Sequence, residues 1–197
     1  GEGALLKAFE ELKKKLQLEG LFDDSIKRQL PAYPKDIAVV TSPDGAVIQD
    51  IINVLDRRSP FLDLTVVPTL VQGEKAAPLI CDALNKVGKL KNIDVVILAR
   101  GGGSIEDLWA FNNEEVARTI VNCPTPIISA VGHETDFTIS DFVSDLRAPT
   151  PSIAAEIISQ PYSELIETLE GYQNYISRSL ISRIDLQRTQ VTNLIKR

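Results

Sequence analysis

Methionine is missing altogether from the 197 residues, histidine and tryptophan occur once each, and cysteine twice. A natural reading frame opens on methionine, so the chain reads as a piece of a longer protein. Cys81 and Cys123 stand far apart, in no CxxC pair and with no histidine beside them in sequence. That disfavours a disulfide framework or a thiolate metal site and leaves two reduced, semi-buried thiols. No apolar run nears the roughly 20 residues of a membrane-spanning helix, and the N-terminus lacks the basic-then-apolar pattern of a secretory signal. A cytoplasmic protein without a membrane partner is expected. With 44% hydrophobic and 24% charged residues, the chain has the composition of a soluble protein with one sizeable core and an appendage.

Positive charge is also short. The net charge is -6, and it is unevenly placed. Residues 1–36 carry seven basic and seven acidic side chains, residues 37–150 nine and fifteen, and residues 151–197 five of each. Affinity for a polyanion comes from Lys and Arg displacing counterions. An acidic middle segment therefore argues, taken alone, against a nucleic-acid partner; if one is bound, most of the grip must come from elsewhere.

Three stretches can be told apart: residues 1–30, 31–150 and 151–197. Residues 2–19 read as an amphipathic helix with Leu5, Leu6, Phe9, Leu12 and Leu16 on one face, closed by Gly20. A linker with Pro31 and Pro34 follows. Continuous β-branched runs then recur at Ile37–Val40, Leu64–Val67, Val95–Leu98 and Ile127–Ser129, as in strands buried on both faces. Helical periods near 44–57, 74–87 and 112–121 separate them. The expectation is an α/β fold: an open, mostly parallel sheet flanked by helices, with right-handed crossovers. From Leu165 through Leu169, Tyr172, Ile176, Leu180, Ile184 and Val191 to Leu194, apolar residues recur mostly at three- and four-residue steps. That pattern predicts a long C-terminal helix of coiled-coil character, suited to dimerisation, or else a helix packed back on the core.

Ligands of open parallel sheets bind beyond the carboxyl ends of the strands, so the residues after each strand come next. After the first, Ser42 can cap a helix with Pro43 at its first position, and the helix start could hold a phosphate; a plain capped helix reads equally well. Asp50, further along, is ordinarily a solvated face residue. After the third strand come Arg100, Gly101, Gly102, Gly103 and Ser104. Consecutive glycines let backbone N–H groups approach an anion closely, and Arg100 adds a planar charge that can fork two phosphate oxygens. The spacing fits neither the dinucleotide nor the Walker fingerprint. After the fourth strand stands His133, the single histidine, followed by Glu134, Thr135 and Asp136. If Thr135 caps or begins a helix, Asp136 can orient the imidazole and raise its proton affinity. Arg147 precedes a hinge with Pro149 and Pro151 and can reach back to the pocket, while Thr150 or Ser152 caps the final helix. An imidazole, a guanidinium and carboxylates around a glycine-lined anion pocket suit phosphodiester cleavage. Asp50 and Asp136 are the candidate ligands should a Mg²⁺ be used, although one histidine and scattered acids make a thin metal signature.

The segments IAVVTSPDGAVIQDI, PTLVQGEKAA, ARGGGSIEDLWAFNNEEVAR and ISAVGHETDFTISDFVSDLRAPTPSIAAE closely resemble the large subunit of bacterial exonuclease VII. The resemblance covers roughly residues 30–160. It implies an exodeoxyribonuclease that degrades single-stranded DNA to short 5′-phosphorylated oligonucleotides, with no strict metal requirement. It implies Asp50, Arg100, His133 and Asp136 as the essential residues; Asp50 gains its weight only from this match. It also implies an N-terminal OB-fold domain that binds single strands, which would supply the missing positive grip. Several copies of a small helical subunit are implied on the C-terminal helix. Two other readings stay open: an α/β enzyme of phosphorylated metabolites or nucleotides, and a non-catalytic assembly module in which Arg100 and Asp136 form a structural salt bridge.

Overall fold

A computed structural model describes residues 2–43, 46–102, 106–132 and 136–195. The expected α/β architecture is borne out. Helix α1 (Glu2–Leu18) precedes strand β1 (Asp36–Thr41), followed by α2 (Ala46–Arg58), β2 (Asp63–Pro68), α3 (Ala76–Val87) and β3 (Val95–Ala99). A 3-10 segment (Glu106–Asn112), α4 (Glu114–Asn122), β4 (Ile127–Ala130), α5 (Ile139–Val143), β5 (Leu146–Arg147) and α6 (Pro151–Ile195) complete the order. The five strands form one sheet in the order β2-β1-β3-β4-β5, and every pairing is parallel.

Side chains alternate across a strand with period two, and here both faces find cover. Ala38 and Val40 of β1, with Val96 and Leu98 of β3, pack with Ile80 and Leu84 of α3 and Val116 and Ile120 of α4. Ile37, Val39, Val95 and Ile97 point the other way, into a second core with Ile51 and Leu55 of α2 and Ala154 and Ile158 of α6. Each of these apolar side chains stabilises the fold by about 1.5–3 kcal/mol if it is a Val, Leu or Ile wholly removed from water.

Two expectations need correction. β2 is an edge strand, paired on one side only, and Leu64, Val66 and Val67 are half-buried while Thr65 is exposed. Its apolar run therefore does not mark burial on both faces. In α1, Leu16 is fully buried and Phe9 and Leu12 lean on the core, but Leu6 is 64% exposed. The helix ends as expected at Gly20, whose φ of 79° fits a left-handed turn. Its N–H donates to Gln17 O and that of Leu21 to Leu16 O, the two bonds of a Schellman closure. Helix α2 is described from Ala46; residues 44 and 45, between it and Pro43, lie outside the described residues, and with them the expected Ser42 cap.

Cys81 and Cys123 are free and buried, as expected. Burial raises both thiols above the usual cysteine value, which favours the unreactive protonated form.

Acidic side chains brace the amino edge of the sheet. The Asp94 carboxylate accepts from Lys35 N at 2.7 Å and Asp36 N at 3.1 Å, tying the entry of β1 to that of β3. The Asp145 side chain, 1% exposed, accepts from Arg28 N at 2.6 Å, Arg28 Nε at 2.9 Å and Ile127 N at 2.6 Å. Arg28 also donates to Ile120 O at 3.0 Å. One buried carboxylate thus fixes the linker after α1, the end of α4 and the start of β4.

The chain divides into two compact units, one ending at Ser159 and the other running from Gln160 to Arg197. The second is helical through Ile195, in line with the expected long helix, and its apolar row is open to solvent: Tyr172, Leu180 and Ile184 are each more than half exposed.

Removing the Asp145 carboxylate strands two backbone donors and the Arg28 guanidinium. Asp145→Ala is expected to cost about 3–5 kcal/mol and to lower the melting temperature by roughly 10 °C. Arg28→Ala, which leaves both backbone donors in place, should cost clearly less. Thermal denaturation of the two variants checks this; equal, small losses would contradict the assigned brace.

Candidate active site

In the strand order β2-β1-β3-β4-β5 the chain first builds outward from β1 to β2, then returns across β1 to β3. The connections leaving β1 and β3 diverge, and a crevice opens between their carboxyl ends. A cleft of about 300 Å³ lies there. Asp50 comes from α2, Arg100, Gly101 and Gly102 from the turn after β3, and Val131 and Gly132 from the turn after β4; Pro149–Ser152, at the start of α6, close the rim.

Arg100 dominates the electrostatics. It is 4% exposed, directly after a strand whose five residues are all buried. Its Nη2 donates to Asp107 Oδ2 at 3.2 Å, and Asp107 lies in the 3-10 segment that follows the glycine turn. The Nε of Arg100 is buried with no hydrogen-bond partner among the described residues. Burial pushes the guanidinium down from the ordinary arginine value, and the Asp107 carboxylate works against that. β1 ends in a similar way: Thr41 is 1% exposed, and its hydroxyl has no partner among the described residues. Gly101 packs close to α2, where an added Cβ would touch Val47 at 3.4 Å.

The turn after β4 is held from below by Asp141. Its side chain is fully buried and accepts from Ser129 Oγ at 2.6 Å, Thr138 N at 2.8 Å and Thr138 Oγ1 at 2.9 Å. Thr138 and Asp141 form a capping box that starts α5 at Ile139. Gly132 passes so close that a Cβ would lie on the Asp136 carbonyl oxygen and 3.1 Å from Asp141 Oδ2. Only glycine fits that approach. Asp141 thus ties Ser129 of β4 to Thr138 at the start of α5; His133 lies outside the described residues.

The cleft gathers Asp50, Arg100, Gly101 and Gly102. Asp50 is exposed on α2 and makes no hydrogen bond or ion pair among the described residues. Asp136 is half-buried and, with Ser42, is not among the residues that line the cleft. Arg147 does not line it either: its guanidinium lies 3.9 Å from the Phe137 ring centroid, and its Nε is 4.0 Å from Asp141 Oδ2. Gly103, Ser104, His133 and Thr135 lie outside the described residues. The carboxylate on Arg100 is Asp107, not the Asp136 of the structural-salt-bridge reading.

Asp107, Asp141 and Ser152 were not singled out as site residues from sequence. A Thr-x-x-Asp capping box is a readable signal for Asp141; the other two have none. No cluster of three His, Cys, Asp or Glu side chains suited to a metal occurs among the described residues, and Asp50 is the one carboxylate among them that lines the cleft. No described helix is long and apolar enough to cross a membrane.

Comparison with known proteins accords with this geometry. A family model described as "Exonuclease VII, large subunit" matches residues 21–197. The exodeoxyribonuclease 7 large subunit of Thermoanaerobacter pseudethanolicus is 63% identical over 158 residues, covering 80% of this chain and 39% of that protein. That of Caldanaerobacter subterraneus is 53% identical over 196 residues, 100% of this chain and 45% of that protein. That of Pseudomonas entomophila is 52% identical over 197 residues, 100% and 43%. The chain thus spans less than half the length of these relatives. A match of this extent and identity assigns the chain to the exonuclease VII large-subunit family.

Proposed function

We propose that this chain is the phosphodiester-cleaving core of an exodeoxyribonuclease acting on single-stranded DNA. The observation that carries the reading is the buried guanidinium of Arg100, its Nε unpartnered among the described residues, beside Gly101 and Gly102 in a cleft that also receives Asp50. A buried donor left open is costly unless an acceptor fills it, and a phosphate oxygen is the acceptor such a fork suits.

In this mechanism the strand's scissile phosphate rests against Arg100 and the amides of the glycine turn. They stabilise the charge that grows on its non-bridging oxygens. A water attacks phosphorus as the bond to the 3′ oxygen breaks, leaving a 5′-phosphate on the product. His133 takes the proton from that water or delivers one to the departing 3′ oxygen, Asp136 orients the imidazole, and Asp50 positions the water. No step is routed through a metal.

The rest of the reading concerns the whole protein. Its acidic core is a poor grip for DNA, which suits a division of labour with a separate OB-fold domain that holds the strand. The solvent-exposed apolar row beyond Gln160 suits the docking of several copies of a small helical subunit, or a second copy of the chain.

Two outcomes test the chemistry in the complete two-subunit enzyme. His133→Ala is expected to lower kcat on single-stranded DNA by about 10²–10⁴-fold with little change in KM, the worth of general acid–base help. A rate near wild type would remove this mechanism. Arg100→Lys keeps a charge but loses the planar fork. A drop of about 10²–10³-fold in initial cleavage rate is expected, as for loss of one preorganised donor; a change within threefold would show that the guanidinium is structural.

A further inference from the structure

We infer that Ser152, in the first turn of α6, is a second phosphate-binding group of this cleft, offering its backbone N–H and its hydroxyl to a DNA phosphate held by Arg100. The inference rests on the proposed nuclease reading and adds a residue to that site.

The donors at this helix start can be accounted for one by one. Pro151 has no N–H. Ile153 N donates to Thr150 Oγ1 at 3.2 Å, and Ala154 N to Thr150 O at 3.0 Å. Ser152, between them, lines the cleft, and its N–H and hydroxyl have no hydrogen-bond partner among the described residues. Its N–H carries the partial positive charge of a helix N-terminus. The second, independent observation is Arg100, which lines the same cleft at 4% exposure with its Nε unpartnered among the described residues. Two sets of unused donors, one from the end of β3 and one from the start of α6, meet in about 300 Å³. Asp50 brings a single negative charge there, so the cleft retains an excess of donors for an anion.

A bystander Ser152 and a phosphate-binding Ser152 respond oppositely to one substitution. Ser152→Asp puts a carboxylate in the first turn of a helix, where it favours folding, but it repels a phosphate in the cleft. Cleavage of single-stranded DNA by the complete two-subunit enzyme, its inhibition by inorganic phosphate and its melting temperature are measured for wild type, Ser152→Asp and Ser152→Ala. Asn92→Asp makes the same charge change at the exposed loop before β3, on the opposite edge of the sheet. For Ser152→Asp the inference expects at least a tenfold loss of kcat/KM and a tenfold rise in the phosphate inhibition constant, with the melting temperature unchanged or higher. Ser152→Ala should lie between it and wild type, and Asn92→Asp should match wild type. If the wild type cleaves DNA and Ser152→Asp retains kcat/KM and phosphate inhibition within twofold, the assignment of Ser152 falls and the nuclease reading stands. If the wild type cleaves no single-stranded DNA, both fall.

Discussion

A guanidinium cannot shed its proton under ordinary conditions, so burying one commits the fold to surrounding it with acceptors. Arg100 sets that condition here. It leaves β3 at the crevice between diverging connections, buried on the rim of the sheet. Asp107, brought back by the 3-10 segment after the glycine turn, accepts from one end of the guanidinium. Its Nε has no partner among the described residues, and Arg100 lines a cleft shared with Asp50 and the start of α6. The site follows from this incomplete solvation: a charge held in place and only partly paired.

The acidic character of the middle segment, which speaks against a polyanionic ligand, has a structural explanation at three positions. Asp94 and Asp145 receive backbone amides at the entry of the strands, and Asp141 receives the cap of α5 and the Ser129 hydroxyl. Their charges are engaged with backbone donors, the use to which buried carboxylates are best suited. Asp141 also packs against Gly132, where the Asp136 carbonyl leaves no room for a side chain.

The sheet was legible because apolar runs and helical periods are long signals, and the four main strands each appear within about one residue of their expected ends. What escaped was short or non-local. β5 has two residues and α5 five, too few for a periodicity to register. The run in β2 looks like those in β1 and β3, because edge or centre is decided by sheet order rather than by the strand's own residues. At the site, Arg100 and the glycines could be read from type and position alone. Asp107 and Ser152 could not, since their roles come from which turn folds back on which. Arg147 illustrates the converse. Its sequence position permits a reach to the pocket, and its described neighbours are the Phe137 ring and the Asp141 carboxylate, neither of which lines the cleft. Asp50 has no chemical signature of its own in sequence, and its weight rested on family resemblance; the cleft now supplies a physical reason to consider it.

The central claim is that one phosphate is bound where Arg100, the glycine turn and the His133 loop meet. A crystal structure of the complete enzyme with a phosphorothioate single-stranded oligonucleotide tests it most directly. The account predicts a backbone phosphate within hydrogen-bond reach of Arg100 Nε and the Gly101–Gly102 amides, with the imidazole of His133 close enough to pass a proton. A strand bound elsewhere, or an imidazole out of reach of the Arg100 turn while the strand is bound, would contradict it.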